Sequence, residues 1–239
     1  MSNALATISH DQLPSTQIGN DEAYVELSKG ADFLGRLQLF TKGAAIDEGK
    51  IPPGHYGIPE GEKIIDLGTS IDILPLARRP KALDMSDKEA IVTTYDQNSD
   101  EFKAIAEKSF EQNSGCQYGT SFLVLERQSG RFLELFFGSK STRPEAKNIF
   151  PYLPLTEADI KARGLKDVEP HGPLPVTLKV RLIKAKFSWH VPVVQKCSTP
   201  FEKVPSMAAI VKEITKFITI KNDGTEKVAE PAGKKARAR

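Results

Sequence analysis

The alternation of apolar and polar residues is clearest between Pro175 and Pro192. Leu178, Val180 and Leu182 fall on one side, and Thr177, Lys179 and Arg181 on the other, which is the period of a half-buried strand. After Leu182-Ile183 the alternation slips by one residue, so Lys184 and Lys186 are expected to continue the basic side. The run ends on Phe187, Trp189 and His190, and a return strand from Trp189 to Gln195 completes a predicted hairpin. Further strands are predicted at Phe33–Phe40, Ile64–Leu67, Ser70–Ala77 and Ala90–Tyr95. Ser121–Arg127 and Arg131–Phe137 pair across Gln128-Ser129-Gly130. Pro75 marks an edge or a bulge, and Gly49–Lys63, dense in Gly and Pro, reads as turns or an extended loop.

Helical periodicity is more local. Asn20-Asp21 caps a short predicted helix through Leu27. Asn98 and Glu101 form a capping box before Phe102, Ile105, Ala106 and Phe110, which share one helical face, and Gly115 ends the segment. Thr142 and Glu145 form a second box, with Pro144 in the first turn, for a short helix to Phe150. Thr156–Arg163 is stopped by Gly164. Ser206 caps a last helix with Ile210, Val211, Ile214 and Ile218 along one side.

Strands that arrive mostly as hairpins speak against a doubly wound parallel sheet. The expected fold is α+β, mainly antiparallel β: a small OB-like barrel with inserted and C-terminal helices. Residues 1–20 read as a flexible arm, 21–219 as a single β-rich domain, and 220–239 as a disordered basic tail.

Composition changes this picture little. At 239 residues, 39% hydrophobic and 27% charged, the chain can bury a real core. No apolar run approaches the roughly 20 residues that span a bilayer, and the N-terminus lacks the basic start and apolar stretch of a secretory signal. The two cysteines, Cys116 and Cys197, give no disulfide framework, so a reducing cytoplasm is expected.

The net charge is only +2, but the charges are segregated. Asp84–Glu111 carries eight acidic and three basic residues, whereas Pro173–Lys203 carries six basic and one acidic, enough for a local positive field.

Three stretches have the chemistry to meet a polyanion. LARRPKAL places Arg78, Arg79 and Lys81 on an expected loop. GSKSTRPEAK supplies Lys140 and Arg143 with small residues and a helix N-terminus, although the spacing is not that of a P-loop. The third is the basic hairpin, where Lys179, Arg181, Lys184 and Lys186 would follow phosphates while Phe187 and Trp189 stack bases. Each stretch also reads as an ordinary solvated face or helix cap, and Trp189 taken alone reads more readily as a core anchor. Trp189, Phe187, Tyr118 and Tyr56 are the best candidates for exposed rings, while Phe132, Phe136 and Phe137 read as core.

Signals of catalysis are few. His10, His55, His171 and His190 show no metal-ligand spacing, and Cys197 with His190 lacks a third orienting group. No cofactor and no resident metal is expected. Asp66 and Asp72 form a remote metal-pair candidate.

The stretches DFLGRLQLF, LARRPKALDM, FFGSKSTRPEA and KFSWHVPVV resemble those of uncharacterised tailed-bacteriophage proteins. This resemblance implies a part in replication or recombination, similar in role to single-stranded DNA-binding proteins, in the host cytoplasm. It also implies a phage polymerase, helicase or recombinase as partner. The chain departs from many such binders by ending in Lys and Arg rather than an acidic tail. The expectation is therefore a non-enzymatic binder of single-stranded DNA, with self-association possible. A β-rich virion component and a metal-dependent nucleic-acid enzyme are the alternatives.

Overall fold

The computed structural model describes residues 9–13, 34–87, 91–186, 188–201 and 203–219. The expected helix after Asn20, the basic tail and Phe187 lie outside the described residues. So does most of the N-terminal arm, but Leu13 is buried in a core cluster.

The chain is α+β and mostly β. Nine strands form one mixed sheet: β1 (Gly35–Phe40), β2 (His55–Glu60), β3 (Lys63–Gly68), β4 (Ser70–Asp84), β5 (Val92–Thr94), β6 (Cys116–Glu126), β7 (Phe132–Phe137), β8 (Val176–Lys184) and β9 (Ser188–Lys196). The order is β3-β2-β1-β7-β6-β4-β8-β9, with β5 added to β4, and only the β1–β7 pair is parallel. The path runs from edge β3 to edge β9 and does not close.

The spine is β4. Its fifteen residues pair with β6 along nearly their whole length, while on the other edge β8 takes Ser70–Ile73 and β5 takes Ala82–Asp84. Pro75 and Pro80 fall between those two partners, where a missing N–H leaves no ladder bond unmade on the open edge. The register shift between Pro75 and Ala77 is a bulge, and it changes which residues face which side. Before it, Ile71 and Ile73 enter the core formed with Tyr56, Phe122, Leu135 and Val176. After it, Ala77 joins Leu74, Leu76, Leu123 and Leu125 on the opposite face.

Helices cover both faces. α1 (Ala44–Asp47) is a single turn before β2. α2 (Asp100–Lys108) sets Phe102 and Ile105 against Ala82 and Cys116. A 3-10 helix, Arg143–Tyr152, adds Ala146 and Ile149 to the large core on the same face of the sheet. α3 (Glu157–Arg163) opens with a capping box in which Thr156 is answered by Asp159, and closes at Gly164 as expected. α4 (Met207–Thr219) packs Ile210, Ile214 and Phe217 on the opposite face. Each such burial contributes about 1.5–3 kcal/mol. Ser206 Oγ accepts the Ala209 amide at 3.3 Å, as its capping role requires.

Several sequence expectations shift. His55–Glu60, read as loop, is a strand. LARRPKAL is not a loop but the second half of β4. Ser99, not Asn98, caps α2, its Oγ accepting the Phe102 amide at 3.1 Å. The helix then ends at Lys108, and Phe110 leaves the apolar stripe. Thr142 makes no side-chain cap to its helix; Ser139 Oγ instead accepts the Thr142 amide. Gly119 allows β6 to pass β7, since a Cβ there would lie 1.9 Å from the Phe137 carbonyl oxygen. No helix among the described residues is long and apolar enough to cross a membrane.

Candidate functional site

The expected cations separate into three places. Alternation along β4 decides the first division: after the bulge, Arg79 and Lys81 point to the α4 side and Arg78 to the other. Arg79 is 5% and Lys81 2% exposed, so neither is presented to a polyanion, contrary to the loop expectation. Glu134 on β7 joins them. Its carboxylate accepts from Arg79 Nη2 at 3.1 Å, Lys81 Nζ at 2.7 Å and Ser121 Oγ at 2.6 Å. Arg79 also donates through Nη1 to the Phe217 carbonyl at 2.8 Å, closing one of the bare carbonyls at the end of α4. Its guanidinium lies between the rings of Tyr95, at 3.7 Å, and Phe217, at 4.0 Å. Burial alone would raise the Glu134 carboxyl; the charges of Lys81 and Arg79 outweigh it and hold the group at about 2. Burial lowers the Lys81 ammonium against the pull of Glu134. The cluster is a support for α4.

The second place is a strip on the opposite face, between the 3-10 helix and α2. Arg78, Pro80, Tyr118 and Thr120 are half-buried there, on neighbouring positions of β4 and β6. The Arg78 guanidinium lies 4.1 Å from the Phe150 ring centroid. Burial, and then the like charge of Arg163, lower its pKa. Arg78 has no carboxylate partner among the described residues.

At the other end of the strip, Arg143 stacks over Tyr118 at 3.6 Å and donates to the Gly138 carbonyl. Phe110 stands beside Tyr118, with ring centroids 5.8 Å apart, and is 61% exposed. Lys140 Nζ donates to the Phe110 carbonyl at 2.8 Å and lies 5.9 Å from its ring centroid. Arg78 and Tyr118 sit four positions apart on paired strands, about 13 Å along the sheet. Phe110, Phe150 and Arg163 are the members that sequence reading missed. Tyr118 was expected as an exposed ring and is half-covered by Arg143. Tyr56, also expected to be exposed, is 1% exposed and its hydroxyl has no hydrogen-bond partner among the described residues.

The third place is the β8–β9 hairpin, formed as expected, with unbroken register from Val176↔Lys196 to Lys184↔Ser188. Because that register does not slip, Lys184 cannot share a side with Lys179 and Arg181. Lys179, Arg181, Ile183 and Trp189 face the α4 side; Leu182, Lys184 and His190 face the other. Trp189 is 38% exposed, opposite Ile183, and is no core anchor. Lys186, in the turn, is exposed.

The remaining candidates are engaged elsewhere. Asp66 is within 2.9 Å of His55 Nδ1 and accepts the Gly68 amide at 2.8 Å; burial works to raise its pKa, but these partners hold it below the ordinary carboxylate range. Asp72 accepts from Thr177 at 2.6 Å and Arg127 at 2.9 Å. Among the described residues, no three His, Cys, Asp or Glu side chains are grouped to hold a metal ion. Cys197 Sγ points to the Thr199 carbonyl, and both cysteines are free and buried.

No family model, no curated protein and no solved structure matches the chain.

Proposed function

We propose that this protein is a non-enzymatic binder of single-stranded DNA, acting in the replication or recombination of a tailed bacteriophage as the resemblance implies. The observation that carries the reading is that Arg78, Arg143 and Lys140, which have no carboxylate partner among the described residues, lie beside accessible rings along one strip. Arg78 rests on Phe150 with like-charged Arg163 nearby, and Arg143 and Lys140 frame the exposed ring of Phe110. A phosphate row supplies the counter-charge that Arg78, Arg143 and Lys140 lack among the described residues. Phe110 offers a face on which one base can stack.

In this reading the sheet serves as an OB-like platform, with β4 and β6 carrying the strip. Arg79 and Lys81 drop out of the binding set, and the single strand is held on Arg78, Lys140, Arg143 and Phe110 rather than on the β8–β9 hairpin. Polymerase, helicase or recombinase partners, the cytoplasmic setting and self-association belong to the same proposal.

The test is fluorescence anisotropy with a labelled single-stranded oligonucleotide across a salt series. Binding that weakens steeply with salt, and weakens further in Arg78→Ala and Phe110→Ala, supports the reading. Absence of binding at low ionic strength overturns it.

A further inference from the structure

The β8–β9 hairpin outruns the sheet that holds it. β4 pairs with β8 only from Val176 to Lys179, and the last bond on that side is the Val180 amide to the Thr69 carbonyl at 3.1 Å. Beyond this point the two strands pair only with each other, through Arg181↔Val191 to Lys184↔Ser188. On this arm Arg181, Leu182, Lys184, Ala185, Lys186, Ser188 and Trp189 are all exposed, whereas Val191, opposite Arg181, is 4% exposed and the His190 ring, opposite Leu182, stands against Gly54, so the arm is braced at its base and free from Ile183 on. Exposure is therefore two-sided, with Arg181 and Trp189 on one face and Leu182 and Lys184 on the other. No acidic residue occurs between Glu169 and Glu202. Lys179, Arg181 and Lys184 have no ion-pair partner among the described residues.

A ribbon charged on both faces is poorly suited to lying flat along one strand. It is suited to a cleft with phosphates on both walls. The major groove of B-DNA is about 12 Å wide and about 8.5 Å deep and admits a two-stranded ribbon. From that brace to the turn about three residues reach about 10 Å, enough to touch the groove floor.

We infer that the arm enters the major groove of duplex DNA, so that the preferred substrate is a single strand next to a duplex. This rests on the single-strand reading for the strip and adds a duplex contact on a different element. Arg181 and Lys184 face the two phosphate rows, and Trp189 and Leu182 make apolar contact near the tip.

The test compares a short single strand, a blunt DNA duplex, a tailed DNA duplex and a tailed RNA duplex by anisotropy, for the natural protein and for Arg181→Ala/Lys184→Ala. The tailed DNA duplex is expected to bind about ten-fold tighter than the single strand. The variant is expected to lose that gain, to reduce the salt slope on the tailed duplex by about 0.9 per removed cation, and to keep its single-strand affinity. Because an A-form major groove is too narrow for side chains, the RNA duplex is expected to give no gain.

Equal gain with RNA, or single-strand binding with no gain from a DNA duplex, overturns the arm's role while leaving the strip reading intact. Tighter binding of the natural protein to anionic phosphatidylserine vesicles than to any duplex, lost in the same variant, also overturns it. Failure to bind the single strand while the duplex binds overturns the strip reading alone. The substituted side chains are exposed, and a circular dichroism melt confirms that the variant folds.

Discussion

Lys81 Nζ lies 2.7 Å from Glu134 Oε2 beneath the last turn of α4, with both side chains almost fully buried. Two strands that are not neighbours, β4 and β7, are tied across β6 by this contact. Arg79 extends it to the helix through the Phe217 carbonyl. Two of the three cations in a basic run that looks made for phosphate are therefore consumed inside the molecule.

Glu134→Gln keeps the shape of the side chain but leaves two buried cations without a counter-charge. Removing one partner of such a cluster typically costs about 3–5 kcal/mol. A thermal melt at neutral pH should show the midpoint falling by roughly 10 °C. Replacing the whole cluster, with Arg79→Met, Lys81→Met and Glu134→Leu together, should be close to neutral or stabilising. The salt slope of oligonucleotide binding should stay unchanged in that triple variant. A reduced slope would return Arg79 and Lys81 to the binding surface.

The same carboxylate sets an acid limit. Glu134 is held at about 2 in the folded protein, against an ordinary value of 4.5. A lowered carboxyl pKa contributes stability that is fully present above 4.5 and is lost as pH falls toward 2. The difference corresponds to about 3 kcal/mol. Lys81 is charged in folded and unfolded chains throughout this acid range, so its own lowered pKa adds no slope there. Urea titrations from pH 5 to pH 2 should show the decline in the natural protein, and a shallower one in Glu134→Gln.

How much of this was readable beforehand depends on distance along the chain. The β8–β9 hairpin follows from alternation within one segment, and the end of α3 from the glycine, Gly164, that follows it. The two-sidedness of β4 does not. Its bulge near Pro75 reverses the faces, and Glu134 lies 53 residues from Lys81 and 55 from Arg79. Local chemistry alone makes LARRPKAL look like a solvated loop. The exposure of Phe110 is not legible in the apolar period: the helix stops at Lys108, where Ser109 Oγ donates to the Ala106 carbonyl, before that ring can join the stripe. The misplacement of Lys184 came from reading an apolar pair, Leu182-Ile183, as a slip, where the exposed arm simply tolerates apolar residues on both faces.

Gly54 and His190 couple the arm to the far side of the sheet. Gly54 has φ +83°, and a Cβ there would come within 2.8 Å of the His190 ring. Gly54→Ala should lose roughly 1–3 kcal/mol from backbone strain and collision together. Adding His190→Ala should recover the collision but not the strain. The double-mutant cycle, read by denaturant melts, separates the two parts. Additive effects would mean that the loop before β2 does not brace the arm.

Phe110 gives the sharpest check on the strip. Its ring is 61% exposed, so Phe110→Ala should leave the melting midpoint within the error of a surface substitution. If a base stacks there, affinity for a single strand should fall by about 1–3 kcal/mol, with the salt slope preserved because no charge is removed. Arg78→Ala and Arg143→Ala should do the converse, each reducing the slope by about 0.7. Removal of Arg143 also uncovers Tyr118, so its affinity loss should be partly offset by a second ring for stacking. A Phe110→Ala variant that binds as tightly as the natural protein would leave the strip as a charged surface without base contacts.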